Sequence, residues 1–469
     1  MSGLYSTLQL GQRAVQTQRQ GIELAGHNIA NVDNPAFARQ RIDVSTGPTV
    51  VNPNGIQSSG VTTEQISSIR NEILDTSIQQ ENSLTSYLEK KNEILDQAQA
   101  KLGPTFLAQP GGLAGEEVSG LLSHLDGLFG QFQELANAPT SRTHRVALLE
   151  QAETLVQDFH RVDRALTEIQ AQLDGELANT VEEANDLLSN IAELNHSIEQ
   201  AENRSGAPAN DLRDRRTAKL EALSQLTHFQ TTQSENGITS LHLDGQTILQ
   251  GAEIRGQFQR ALDPEGHPQA ALVIDDASQP VTQGKLGALA DVRTQTLVPL
   301  SQRLDTLAST LTAEINNIHS GGFDLNGDTG ESFFTGNSAA TLAINATLRD
   351  NPDRIQASQD GNAAGGNEIL RQMAALANQS QANLGERTLG EHMTESIGLF
   401  LNELADTTEQ LESQTAVQEL LERQRNAVSG VSLDEEMTNL VKFQNAFEAS
   451  ARLVSVIDEM LETVVNLGR

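Results

Sequence analysis

Glu193 and His196 stand three residues apart on a helical stretch, the Glu-x-x-His spacing with which helix bundles hold paired metal ions. That chemistry needs a second copy of the pair and two further glutamates, and none of the other histidines supplies the copy. A solvated helix face accounts for the spacing. Asp324, Asn326 and Asp328 fall at the first, third and fifth positions of a calcium loop. The sixth position is Thr329 rather than Gly and the twelfth is Thr335 rather than Glu, so a Gly/Asn/Asp turn leading to Phe333–Phe334 serves equally well. HExxH, a P-loop, GxSxG and GxGxxG are absent, and there is no cysteine for thiolate chemistry or disulfides. The reading is therefore of a chain without catalytic residues, bound cofactor or metal.

Composition narrows the class further. Sixty-three acidic residues against 31 basic ones give a formal charge of −32, which opposes nucleic-acid binding and favours solubility. Aromatics are 3% with no Trp, an endowment suited to long helices packed through Leu, Ile, Val and Ala. No apolar run reaches about 18 residues, so no membrane insertion is expected. The opening MSGLYSTLQLGQR lacks the basic start and unbroken apolar stretch of a secretory signal peptide. At 469 residues the chain should divide into two or three domains.

The elements that must position any site are clearest at the ends. Leu8, Val15, Ile22 and Ile29 recur every seven residues, with Ala25 on the same flank and Ser2 placed to cap. This predicts a narrow-seamed amphipathic helix ending in the Asn31–Pro35 turn, where Pro35 pushes Asn34 out of helical geometry. At the other end Leu440, Phe447, Val454 and Leu461 recur every seven, and Phe443, Ile457 and Val464 lie three later. Ser432 and Glu435 have capping-box spacing, and Gly468 stands as the stop. A two-in-seven seam cannot be buried alone. Residues 1–41 carry Arg13, Arg19, Arg39 and Arg41 against Glu23 and Asp33, whereas the last helix carries seven acids. The two ends should meet in one helical layer.

Between them, helical spacing runs over 64–102, 118–137, 141–204 with a possible break at Gly175, 209–226, 286–318 and 388–430. Residues 229–274 alternate apolar and polar around Asn236–Gly237 and Asp244–Gly245, both strong hairpin turns. The expected fold is mainly α, a long helical bundle with terminal coiled-coil helices and a small β-rich inserted module. Residues 1–63 form the first part of the terminal domain and an extended segment, and 64–227 the helical domain. Residues 228–285 open the β-rich module, 286–319 return to the helical domain, 320–365 complete the module, 366–430 end the helical domain, and 431–469 are the C-terminal helix.

HNIANVDNPAFARQ, residues 27–40, resembles the signature of flagellar axial proteins at Asn28, Ala30, Asn31, Arg39 and Gln40, with Ala36 and Phe37 where Gly and Tyr are usual. SGVSLDEEMTNLVKFQNAFEASARLVSVIDEMLETVVNL is similar to the terminal helix of flagellar hook-associated proteins of the FlgK family. NDLRDRRTAKLEALSQL is similar to the family's helix-to-strand passage, and LGALADVRTQTLVPLSQRLDTLASTLTAEINNIHSGGFDLNGDTGESFF to its long helix and Gly-Phe-Asp segment. The resemblance implies a structural protein at the hook–filament junction that polymerises through its terminal helices after type III export without a cleaved signal peptide. Implied partners are copies of itself, the hook protein, the second junction protein and an export chaperone on the C-terminal helix. The implied location is extracellular, in the flagellum. The expected assembly residues are Leu8, Val15, Ile22, Ile29, Asn31, Arg39, Leu440, Phe443, Phe447, Val454, Ile457 and Leu461. A hook or rod protein would share the opening motif, but the long helical blocks set this chain apart. A soluble coiled-coil adaptor, or an enzyme with an unrecognised site, is the reading from another class.

Overall fold

The computed structural model describes residues 2–47, 49–52, 55–58, 60–103, 105–106, 120–234 and 237–467. Asn236, Gly468 and residues 118–119, all used in the sequence reading, lie outside them. The chain opens with helix α1 (Ser2–Ala30), which already includes Ser2. Strands β1 (Gln40–Thr46), β2 (Thr49–Asn52), β3 (Gly55–Ser58) and β4 (Val61–Ser68) follow; β1 pairs antiparallel with β4, and β2 with β3. Helical spacing predicts a helix from residue 64, yet 64–68 belong to β4. Helix α2 (Glu72–Leu102) starts where Asn71 can cap it, its side chain accepting from the N–H groups of Ile73 and Leu74.

Helices α3 (Leu121–Asn137), α4 (Arg142–Ser205) and α5 (Asn210–Leu226) form the centre of the body with α2. At 64 residues α4 is roughly 95 Å long. It is uninterrupted at Gly175, because Leu173 and Leu177 on either side are buried and their packing outweighs the cost of about 1 kcal/mol that a mid-helix glycine carries. Gly206, at φ +67°, ends it.

The β-rich region comprises β5 (Gln230–Gln233), β6 (Thr239–Leu243), β7 (Gln246–Gln250) and β8 (Glu253–Ile254) in one antiparallel sheet. A second sheet holds β9 (Gln257–Leu262), β10 (Pro268–Ile274) and β11 (Ala277–Pro280), with β10 central. Asp244 and Gly245 both take positive φ in the turn from β6 to β7. The sheets share the helical core rather than building their own. Leu241, Leu249, Phe258 and Leu272 belong to the same buried cluster as Leu188, Ile191 and Leu289. Two asparagines of α4 dock them. Asn195 donates to Thr239 O (2.8 Å) and Gly251 O (2.7 Å), and Asn185 exchanges two bonds with the backbone of Phe258.

Helices α6 (Gly284–Asp291) and α7 (Val298–His319) are continuous through a π turn at Val292–Leu297. Pro299 has no N–H to give, and ahead of it the Val298 N–H reaches back to Arg293 O. Short strands β12 (Phe334–Thr335) and β13 (Ala343–Ile344) follow. The segment 320–365, expected to complete the β-rich module, also contains α8 (Ala346–Asp350), capped by Asn345. Then come α9 (Glu368–Ala375), α10 (Leu389–Ser429), opened by a Thr388–Glu391 capping box, and α11 (Leu433–Leu467).

Two buried polar side chains fix the 320–365 region to the body. Arg145 donates to the carbonyls of Pro139 and Ile355 (2.9 and 2.7 Å), and burial pulls its guanidinium down to about 10. His319 is fully enclosed: Nδ1–H donates to Glu331 O (2.8 Å), Nε2 accepts from the Gln356 N–H (3.0 Å), and the ring meets Phe333 edge-on. Burial holds it neutral, pulling it down to about 4. Between about 6.5 and 4 the unfolded chain therefore binds the proton and the folded chain does not. The contribution is whole above pH 6.5 and is lost as pH falls, by about 3 kcal/mol at most. Chemical denaturation of the parent and of His319→Gln should show the difference in their midpoints shrinking on acidification through this window. A difference independent of pH would contradict the assignment.

Candidate assembly interface of the terminal helices

Helices α1 and α11 pack antiparallel along much of their length. The seam residues Leu440, Phe443, Phe447, Val454 and Leu461 are half-buried and Ile457 is 3% exposed. On α1 the predicted line of Leu8, Val15, Ile22 and Ile29 is half-buried, while Leu24, Ala25 and Asn28 are buried. The closest approach runs through two glycines that the heptad reading passes over. A Cβ on Gly11 would lie 2.7 Å from Val454 Cγ2, and one on Gly21 would lie 2.6 Å from the Phe443 ring. A missing side chain on one helix receives a bulky one from the other. The sequence signal was available as two glycines inside an otherwise regular helix, which normally costs stability unless something packs there.

At the far end of the pair, a polar node ties it to the following chain. Asn28 is 1% exposed; its Nδ2 donates to Gln40 O (2.9 Å) and Glu436 Oε2 (3.1 Å), and its Oδ1 accepts from the Gln40 N–H (3.0 Å). Arg39 reaches the first turn of α11, with NH1 2.6 Å from Glu435 and NH2 2.7 Å from Glu436, whose side chain is 4% exposed. Burial works to lower the Arg39 guanidinium, but the two glutamates outweigh it and hold it above its ordinary value. Asn31 donates to His27 O (3.0 Å), closing the last turn of α1, and Phe37 packs edge-on to His27. Asn28, Arg39 and Gln40 of the opening motif thus meet around one backbone crossing. Arg41, by contrast, pairs with Asp43 on its own strand (3.0 Å).

One α11 face covered by α1 leaves others open. Leu433, Met437, Val441, Leu453, Val456, Met460 and Val464 are all at least 38% exposed. Apolar surface of that extent is uncommon on a solvated helix.

The other candidate chemistries are occupied by structural work. Glu193 and His196 lie on the exposed face of α4. Asp324 Oδ1 accepts from the N–H groups of Asn326 (2.7 Å) and Asp328 (2.9 Å), closing its own turn.

Gly21→Leu should therefore separate α1 from α11, read as lost hydrogen-exchange protection in both helices with α2–α10 unchanged. Gly26→Leu, with nothing within 4 Å of its Cβ, should leave protection intact. Equal protection in the two variants would disprove the close approach.

Comparison with known proteins follows the same outline. Residues 107–334 match the family model described as the flagellar hook-associated protein FlgK helical domain. Residues 423–467 match that of the flagellar basal body rod FlgEFG protein C-terminal region. The chain is 26% identical to flagellar hook-associated protein 1 of Bacillus subtilis (strain 168) over 99% of both chains. It is 22% identical to the protein of the same name from Escherichia coli (strain K12) over the full length of both. The fold matches the flagellar hook junction protein FlgK from Burkholderia pseudomallei with a TM-score of 0.60 at 15% identity, covering 76% of this chain and all of that one. The chain is thus similar over its whole length to flagellar hook-associated proteins, and through residues 107–334 to the FlgK helical domain.

Proposed function

We propose that this chain is a structural axial protein of the bacterial flagellum, an adaptor at the hook–filament junction that polymerises through its terminal helices. The observation that carries the reading is the apolar surface left on α11 after α1 has covered its seam. A monomer gains nothing from seven exposed large apolar side chains on one helix, whereas a helical stack of copies buries them at each repeat. The names of the relatives, hook-associated protein 1 and hook junction protein, support the location.

The role has no catalytic step. Its partners are copies of itself, the hook protein on one side and a second junction protein on the other, with an export chaperone holding α11 beforehand. Export through the type III channel places it outside the cell. Absence of cysteine suits threading of an unfolded chain. Among the described residues no helix is long and apolar enough to cross a membrane.

A deletion strain should lose its filaments and keep intact hooks by electron microscopy, with swimming abolished; normal filaments would rule the role out. Phe447→Asp or Ile22→Asp should block assembly while leaving the circular dichroism of the body unchanged. Normal filaments in either variant would show that the seam lies elsewhere.

A further inference from the structure

The link between the terminal helix pair and the helical body is thin and polar. Two connectors cross it: residues 69–71 lead from β4 to α2, and residues 430–432 from α10 to α11. Arg39 holds them side by side. Its N–H donates to Ser429 O (2.9 Å), and its carbonyl accepts from the Ile69 N–H (2.7 Å). Arg70 sits inside the first connector with 19% of its side chain exposed. Its guanidinium donates to three elements at once: Ala36 O in the turn after α1 (2.8 Å), Asp75 on α2 (3.1 Å) and Asp214 on α5 (2.9 Å). Gln40 to Asp211 (3.1 Å) and Asn210 to Ile66 O (2.8 Å) also cross the link.

Phe37 and Ala38 are the buried apolar residues of the turn, and open space adjoins it on both sides. A cavity of about 580 Å³ lies on one side of the turn, between it, α2, α5 and the last turns of α10. Another of about 260 Å³ lies on the other side, against α5. Asn31, Asn34, Ala36 and Phe37 line both, so the turn is a wall with space on each face. Close-packed contacts resist rotation in every direction, and a wall between two cavities resists it in few. The angle between the two stiff parts is then set by directional hydrogen bonds, and Arg70 makes the ones that join turn, α2 and α5. A planar fork fixes three acceptors as a point charge cannot.

We propose that Arg70 is a positioning residue, a pin that sets the angle between the terminal helix pair and the helical body, and that the turn at 31–38 yields when the pin is released. The claim concerns the single chain and stands apart from the axial role. With no native cysteine, spin labels can be placed cleanly on the full-length chain at Ser413→Cys on α10 and Asn445→Cys on α11, both exposed. A second pair, Gln16→Cys and Glu448→Cys, reports distances inside the terminal pair alone.

Arg70→Met should at least double the width of the 413–445 distance distribution and leave the 16–448 distribution unchanged. Arg70→Lys, which keeps the charge and loses the fork, should fall between. Asp214→Asn removes one acceptor charge at constant size and should broaden the same distribution if Arg70→Met does not fold. A 413–445 distribution as narrow in the variant as in the parent, or a parent as broad as the variant, overturns the proposal. Filament loss in the deletion strain tests the axial role independently of either result.

Discussion

The antiparallel contact between α1 and α11 is the constraint on which the terminal architecture depends. Gly11 and Gly21 give α1 a surface into which Val454 and Phe443 seat, so the two helices approach more closely than side-chain-bearing faces would permit. That approach fixes the register of the pair. The register in turn places Asn28 opposite Glu436, and the shared hydrogen bonds hold the strand that begins at Gln40. The apolar seam supplies attraction without direction; the glycines and the asparagine supply the direction. With the pair closed in this way, the remaining apolar rows of α11 are held outward on a defined surface rather than collapsed inward.

A similar division of labour runs through the body. The buried cluster extends unbroken from the helices into the β sheets, and long-range polar bonds decide how each piece sits on it. Asn185 and Asn195 treat strand backbone as a partner, and Arg145 gathers carbonyls from both sides of its contact. A buried amide or guanidinium held by several bonds is costly to displace, because other positions lose those bonds without water to replace them. The chain is acidic and poor in aromatics, and such bonds give it a specificity that interchangeable Leu and Ile contacts lack.

Much of this was legible in the sequence, and the exceptions have physical reasons. Long helices announce themselves by spacing, so α4, α10 and α11 were placed closely, as was the hairpin at Asp244–Gly245. Residues 64–68 read as helix because an apolar spacing over so short a span fits a strand equally well; the cap at Asn71 decides between them. Gly175 looked like a break because local propensity cannot see Leu173 and Leu177 being buried on either side. Of the polar node, the motif supplied Asn28, Arg39 and Gln40. Arg70 was invisible, since nothing in an isolated Arg between a strand and a cap reveals three partners, the farthest of them 144 residues away. Gly11 and Gly21 were missed because a heptad pattern records what projects, not what is absent.

The π turn before Pro299 has a consequence of its own. Ahead of it, α6 lies against α2 and β10; beyond it, α7 lies against α9 and α10. One additional residue within a turn swings everything downstream by about 100° around the axis. The apolar row through Leu300, Leu304, Leu307 and Leu311 is thereby aimed at a different set of neighbours from the row through Leu286 and Leu289. A single imino acid lets one continuous spine serve two separate walls, a task that would otherwise need a loop and two helices.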